Sequence, residues 1–156
     1  CGLANHRTII AGFVPRQSGL KPILYKEINV TLAYWCVLLA MFLPWLCAYY
    51  SKKVGGFSGN DNHYPRDFLG STQGEAKRAD AAQKNSFEIF PAFAAAVLIA
   101  HATGEASQTA INLWATLFVF SRLIYIVLYI KDMPSFRSLA WCAGLACILA
   151  LFIAAI

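Results

Sequence analysis

In "NSFEIFPAF", residues 85 to 93, Asn85, Glu88 and Pro91 recur at intervals of three, immediately before an apolar run. Reading backwards, Arg78, Ala81, Asn85 and Glu88 step by three, four and three, which places them on one face of a helix. A second set lies in "SRLIYIVLYIK", where Arg122, Tyr125 and Tyr129 also share a face, and Arg137 follows just past Pro134. Together these types suit a small polar anion. Arginines bind carboxylates, Glu88 an ammonium, Asn85 amide groups, and the phenols a thiol or a backbone group. An arginine in the first turn of a helix opposes the macrodipole, so an anionic ligand explains Arg137 where stability does not. Arg122 lies about 13 Å inside Lys131 at 1.5 Å per residue, and Glu88 is the candidate acceptor for its guanidinium. The competing reading is that these residues clamp helices together, at roughly 0.6–2 kcal/mol per polar pair.

The elements that must hold these residues lie in a membrane. The chain of 156 residues is 58% hydrophobic and 13% charged, against about 25% charged residues in a soluble domain. Four windows, 29–50, 76–102, 107–131 and 134–156, approach the ~20 apolar residues a spanning helix needs. Runs such as "CVLLAMFLPWL" and "CILALFIAAI" exclude the alternation of a membrane barrel. The fold class is therefore all-α integral membrane, a four-transmembrane-helix bundle. The apolar part of the second window, Ile89 to Ala100, is too short to cross alone and borrows length from the polar stripe. A charged side chain near the bilayer centre costs about 3 kcal/mol, so that stripe faces another helix, another subunit or a water-filled cleft.

The net charge of +5 reads as topology rather than nucleic-acid binding. Lys52, Lys53, Arg66, Lys77, Arg78 and Lys84 surround the first connection, and Lys131 and Arg137 the third, whereas "TGEASQ" carries no positive charge. The positive-inside rule then puts both basic connections in the cytoplasm and both termini on the non-cytoplasmic side. Residues 1–28 read as an irregular N-terminal arm and 29–156 as the membrane domain. Cys1 reads as a processed, lipidated end or as the edge of a truncated arm. Cys36, Cys47, Cys142 and Cys147 sit among apolar neighbours and read as small buried hydrophobes. Residues 51–75 read as a long surface loop, and "NDNH" within it as a turn rather than a metal site. "PAFAAAVLIA" reads as close helix packing, and His101 as a capping or interfacial residue. No metal site is expected.

At these residues the sequence resembles the MAPEG family, the membrane-associated proteins in eicosanoid and glutathione metabolism. The resemblance runs over "NHYPRDFLGSTQGEAKRADAAQKNSFEIFPAF" and "SRLIYIVLYIKDMPSFRSLAW", and more loosely over all four helices. It implies a homotrimer with glutathione as co-substrate, held between neighbouring subunits near the cytoplasmic face. It implies that Asn85 and Glu88 hold glutathione's backbone and amino group, that Arg122, Tyr125 and Tyr129 line the cleft, and that Arg137 activates the thiolate. Enzymatic members carry an arginine where this chain has Ala81, and Arg78, one turn earlier, matches another basic position. Bacterial members share the form with Ala81, so it reads as the mark of that branch, in a bacterial inner membrane.

The expected function is a glutathione-dependent transferase or peroxidase acting on lipophilic electrophiles or lipid hydroperoxides reached from membrane lipids. The alternative is a non-catalytic lipid-binding protein or accessory subunit, its arm docking on a partner membrane protein. Transport is disfavoured, because four helices show neither an inverted repeat nor paired broken helices.

Overall fold

The computed structural model describes residues 30–156. The expected arm over residues 1–28 lies outside the described residues. Five α-helices follow in order: α1 (Leu32–Gly55), α2 (Pro65–Ser71), α3 (Gly74–Thr103), α4 (Gln108–Ile130) and α5 (Pro134–Ala154). Among the described residues there is no strand. Four of the five, all but α2, are long and apolar enough to cross a membrane. The 30 residues of α3 give it a length of about 45 Å, beyond the ~30 Å hydrocarbon core. Its polar N-terminal turns therefore extend the span toward the headgroups, as the hydropathy pattern requires.

α1 packs chiefly along α3, and α4 along α5. Small residues let the backbones approach: Ala33, Ala79, Ala82, Ala96, Ala100 and Ala115 are completely buried. Phe93 of α3 and Phe118 of α4 stack at the centre, 3.8 Å apart and 12° from parallel. Gly144 lets α5 approach α4, since a Cβ there would lie 3.0 Å from Ser121 Oγ. Trp35, Leu46, Phe120, Ile124 and Leu149 point outward, which in a membrane means toward lipid.

Helix ends are closed by neighbouring helices as well as by their own caps. Thr31 gives α1 no side-chain cap; instead Asn112 Oδ1 of α4 accepts from the Ala33 N–H at 3.1 Å. α1 stops at Gly56, whose φ of 78° is left-handed and returns an N–H to Lys52 O.

Residues 51–75 are not the plain loop the composition suggests. Lys52 to Gly55 extend α1, Asn60–His63 make a 3-10 turn, and Pro65 opens α2. What fixes α2 is packing: Phe68 meets Phe57 edge-on at 5.1 Å, and Leu69 is buried. Within "NDNH", Asp61 Oδ2 accepts from Ser58 N at 2.7 Å and from Ser58 Oγ at 2.6 Å. These bonds hold its carboxyl below the usual carboxylate range.

Candidate functional site

The polar stripe of α3 and the Arg–Tyr face of α4 meet at the end of the bundle where α5 begins. Arg122 is 1% exposed. Its Nη2 donates to Asn85 Oδ1 at 3.0 Å and to Ser86 Oγ at 3.2 Å. Its guanidinium carbon lies 4.0 Å from the centre of the Tyr125 ring. Nε and Nη1 are buried with no hydrogen-bond partner among the described residues, an exceptional state for a charged group.

Glu88 is not the acceptor for Arg122 that the sequence suggested. Asn85 stands between them: its Oδ1 accepts from Arg122, and its Nδ2 donates to Glu88 Oε2 at 3.3 Å. The reason is geometric. Arg122 enters from the buried side of α3, where Ser86 lies, whereas Glu88 is on the exposed side. Asn85 passes the guanidinium's orientation to the carboxylate without an ion pair and leaves Glu88 open to a second partner.

Arg78, grouped with the ligand set on sequence, is directed elsewhere. Its Nε donates to Ile130 O at 2.9 Å, and its Nη1 lies 3.7 Å from Asp132 Oδ2. Ile130 ends α4, so Arg78 satisfies one of that helix's last free carbonyls. Asp132, with a left-handed φ of 58°, makes the tight turn into α5. Arg78 therefore fixes where α5 starts.

That start sets Arg137. Pro134 occupies the first helical turn, as its fixed φ favours, and Arg137 projects nearly one turn later with its guanidinium 4.3 Å from the Tyr129 ring centre. Among the described residues no carboxylate pairs with it. Tyr125 and Tyr129 meet edge-on at 5.6 Å. An open groove of about 430 Å³ lies here, lined by Asn85, Tyr125, Tyr129, Arg137, Ser138, Trp141 and Cys142. Asn85, Tyr125, Tyr129 and Arg137 of the expected set thus share one groove, with Arg122 behind it and Glu88 beside it.

Sequence reasoning missed Ser86, Trp141 and Cys142. Cys142 was expected to be buried, yet it is exposed and lines the groove. Trp141 and Cys142 follow Arg137 by four and five positions, so helical spacing alone places them near its face. Cys36, Cys47 and Cys147 are buried as expected. His101 lies at the opposite end: Nδ1 donates to Val97 O at 2.8 Å, Nε2 meets Thr31 Oγ1 at 3.2 Å, and the ring stacks on Tyr34 at 4.4 Å.

On the outer side of α4 and α5 runs a second groove, about 730 Å³, lined by Leu117, Phe120, Ile124, Phe136 and Ala143 among others. Ser121 is the one hydroxyl in its wall, and it is committed to Phe118 O at 2.7 Å.

The first groove offers a cation, a fixed amide, two phenols and a thiol beside an apolar bundle, a set able to hold a polar anion at the membrane edge. A family model described as the MAPEG family matches residues 32–156. No curated protein matches the chain.

Proposed function

The chain belongs to the MAPEG family, an integral membrane family of eicosanoid and glutathione metabolism, and from that premise we propose that it is a glutathione-dependent transferase or peroxidase. In this reading three copies assemble, and the open groove of one is completed by the exposed α3 face of the next. Glutathione's carboxylates and thiol meet Arg137, its backbone meets Asn85 and the tyrosines, and its amino group meets Glu88. Both termini lie on the non-cytoplasmic side of a bacterial inner membrane, with the groove near the cytoplasm.

The observation that carries the reading is Arg137. A guanidinium in a helix's first turn, with no carboxylate partner among the described residues, sits over a groove at the edge of an apolar bundle. A cation in a poorly hydrated site lowers a thiol's pKa. The thiolate then attacks the electrophilic carbon of a lipophilic substrate, forming a thioether. That carbon's bond to its leaving group breaks and the group departs with the electron pair, or an epoxide C–O bond opens and the oxygen takes up a proton. With a hydroperoxide the thiolate attacks the terminal oxygen and the O–O bond breaks, giving an alcohol and a sulfenic acid. A second glutathione converts that acid to disulfide and water. Either substrate enters from lipid, and Arg122, held behind the wall, orients Asn85 rather than touching the ligand.

The test is calorimetry with glutathione on the detergent-purified protein, with thiolate absorbance followed in parallel. Binding with a thiolate signal that Arg137→Ala loses is the expected result; no binding at millimolar glutathione would overturn the reading. A second reading, a non-catalytic lipid-binding or accessory subunit, is favoured by the outer groove with its apolar walls and by Ala81. It predicts retention of a lipid with no thiolate signal.

A further inference from the structure

Two guanidinium groups and two phenol rings form one continuous ladder from behind the groove wall into the groove. Arg122 lies 4.0 Å from the Tyr125 ring centre, Tyr125 meets Tyr129 edge-on at 5.6 Å and 74°, and Arg137 lies 4.3 Å from the Tyr129 ring centre. The first three belong to one face of α4. The fourth arrives from α5 across a connection of three residues, Lys131 to Met133.

The ends of the ladder are held differently. Arg122 is anchored by two hydrogen bonds, to Asn85 and Ser86, and is completely enclosed. Arg137 has no side-chain hydrogen bond or ion pair among the described residues, and the aromatic face is its partner. An unrestrained arginine at a helix N-terminus is pushed outward by the macrodipole, and its long stem lets the charged head reach water. The quadrupole of a ring face is what opposes both tendencies here.

We propose that Tyr129 is a positioning residue whose ring face, rather than its hydroxyl, holds the Arg137 guanidinium over the groove. Tyr125, pinned beneath Arg122, sets the orientation of the Tyr129 ring in turn. Buried Arg122 thereby aligns Arg137 through two aromatic rings without touching it. The functional consequence rests on the role given to Arg137 under Proposed function; the positioning itself does not.

The experiment uses the full chain in detergent, as wild type, Tyr129→Phe and Tyr129→Leu, with Tyr129→Met as a second ring-less variant should Leu fail to fold. Phenylglyoxal modification of Arg137 is followed by peptide mass spectrometry without glutathione, with exposed Arg66 as the internal reference. Loss of the ring should speed Arg137 modification by about two- to fivefold, the factor a half-exposed cation–π contact supplies, while Tyr129→Phe matches wild type. With glutathione present, the thiolate signal should be lower in Leu or Met than in Phe, three variants that equally lack the phenol's own contact with glutathione. If Phe behaves like Leu, the hydroxyl is the working group and the proposal falls. If Leu and Met behave like wild type, the ring holds nothing and it falls equally. The expected modification pattern in a protein whose wild type gives no thiolate signal would uphold the ladder and overturn the glutathione reading.

Discussion

The two ends of the bundle use polar residues in opposite ways. At the end where α1 begins, polar groups close on one another. His101 engages both ring nitrogens and stacks on Tyr34, and Asn112 Oδ1 accepts from both Ala33 N and Gln108 Nε2. At the end where α5 begins, capacity is left over. Among the described residues, Arg122 keeps two nitrogens without partners, Arg137 rests on a ring, and Glu88 holds only the Asn85 amide. Buried polar groups that serve stability are normally satisfied. The contrast between Arg122, buried and short of partners at one end, and His101, satisfied at the other, supports the proposed site.

Substitutions can break that contrast. The largest expected effect is at Arg122→Met, which removes a buried charge lacking a carboxylate partner. Removing an uncompensated buried charge relieves its desolvation penalty, several kcal/mol per ion. Thermal unfolding should therefore move upward while glutathione affinity falls at least tenfold, as Asn85 loses its anchor; a loss of stability of that size would show Arg122 to be structural. At the opposite end, His101→Ala should lower stability by about 1–3 kcal/mol with glutathione affinity unchanged, and a change in affinity would erase the contrast. Asn112→Ala, which removes the acceptor for the first turn of α1, should lower stability by about 0.5–2 kcal/mol, read from the same melts.

How far the sequence disclosed this contrast depends on the residue. Run length and hydropathy located the four spans, because bilayer thickness imposes a length that composition reveals. Helical spacing put Arg122, Tyr125 and Tyr129 on one face, but spacing says nothing of which partner lies opposite. Charge alone makes Glu88 the natural acceptor; Asn85 and Ser86 take that place because α4 meets the buried side of α3. Arg78 was illegible for another reason, since its partner is a backbone carbonyl 52 positions away. The helix α2 escaped notice because packing of Phe68 on Phe57 fixes it, and no long hydrophobic period announces it. Cys142 was misjudged because hydropathy cannot tell a wall of a groove from a core position.

Two smaller effects sharpen the contrast. Among the described cysteines, Cys142 should be the one alkylated rapidly by a small maleimide, and glutathione should slow it; rapid labelling of Cys36, Cys47 or Cys147 would contradict the packing. Asp61, outside both ends, should give the smallest effect. Its folded carboxyl titrates below the usual range, so its contribution is present above the unfolded value of about 3.9 and is lost as pH falls through the folded one. The melting difference between wild type and Asp61→Ala should thus shrink on acidification below about pH 4, and a difference that grew would reverse the sign.

The most direct measurement is the thermal midpoint of the detergent-purified protein with and without glutathione, for wild type, Arg137→Ala and His101→Ala. A ligand that binds only the folded state at a hundredfold excess over its dissociation constant adds about 2.7 kcal/mol of stability. The predicted result is a midpoint that rises with glutathione in wild type and in His101→Ala but not in Arg137→Ala. An unmoved wild-type midpoint at millimolar glutathione, or an equal rise in Arg137→Ala, would contradict a glutathione site at the α5 end.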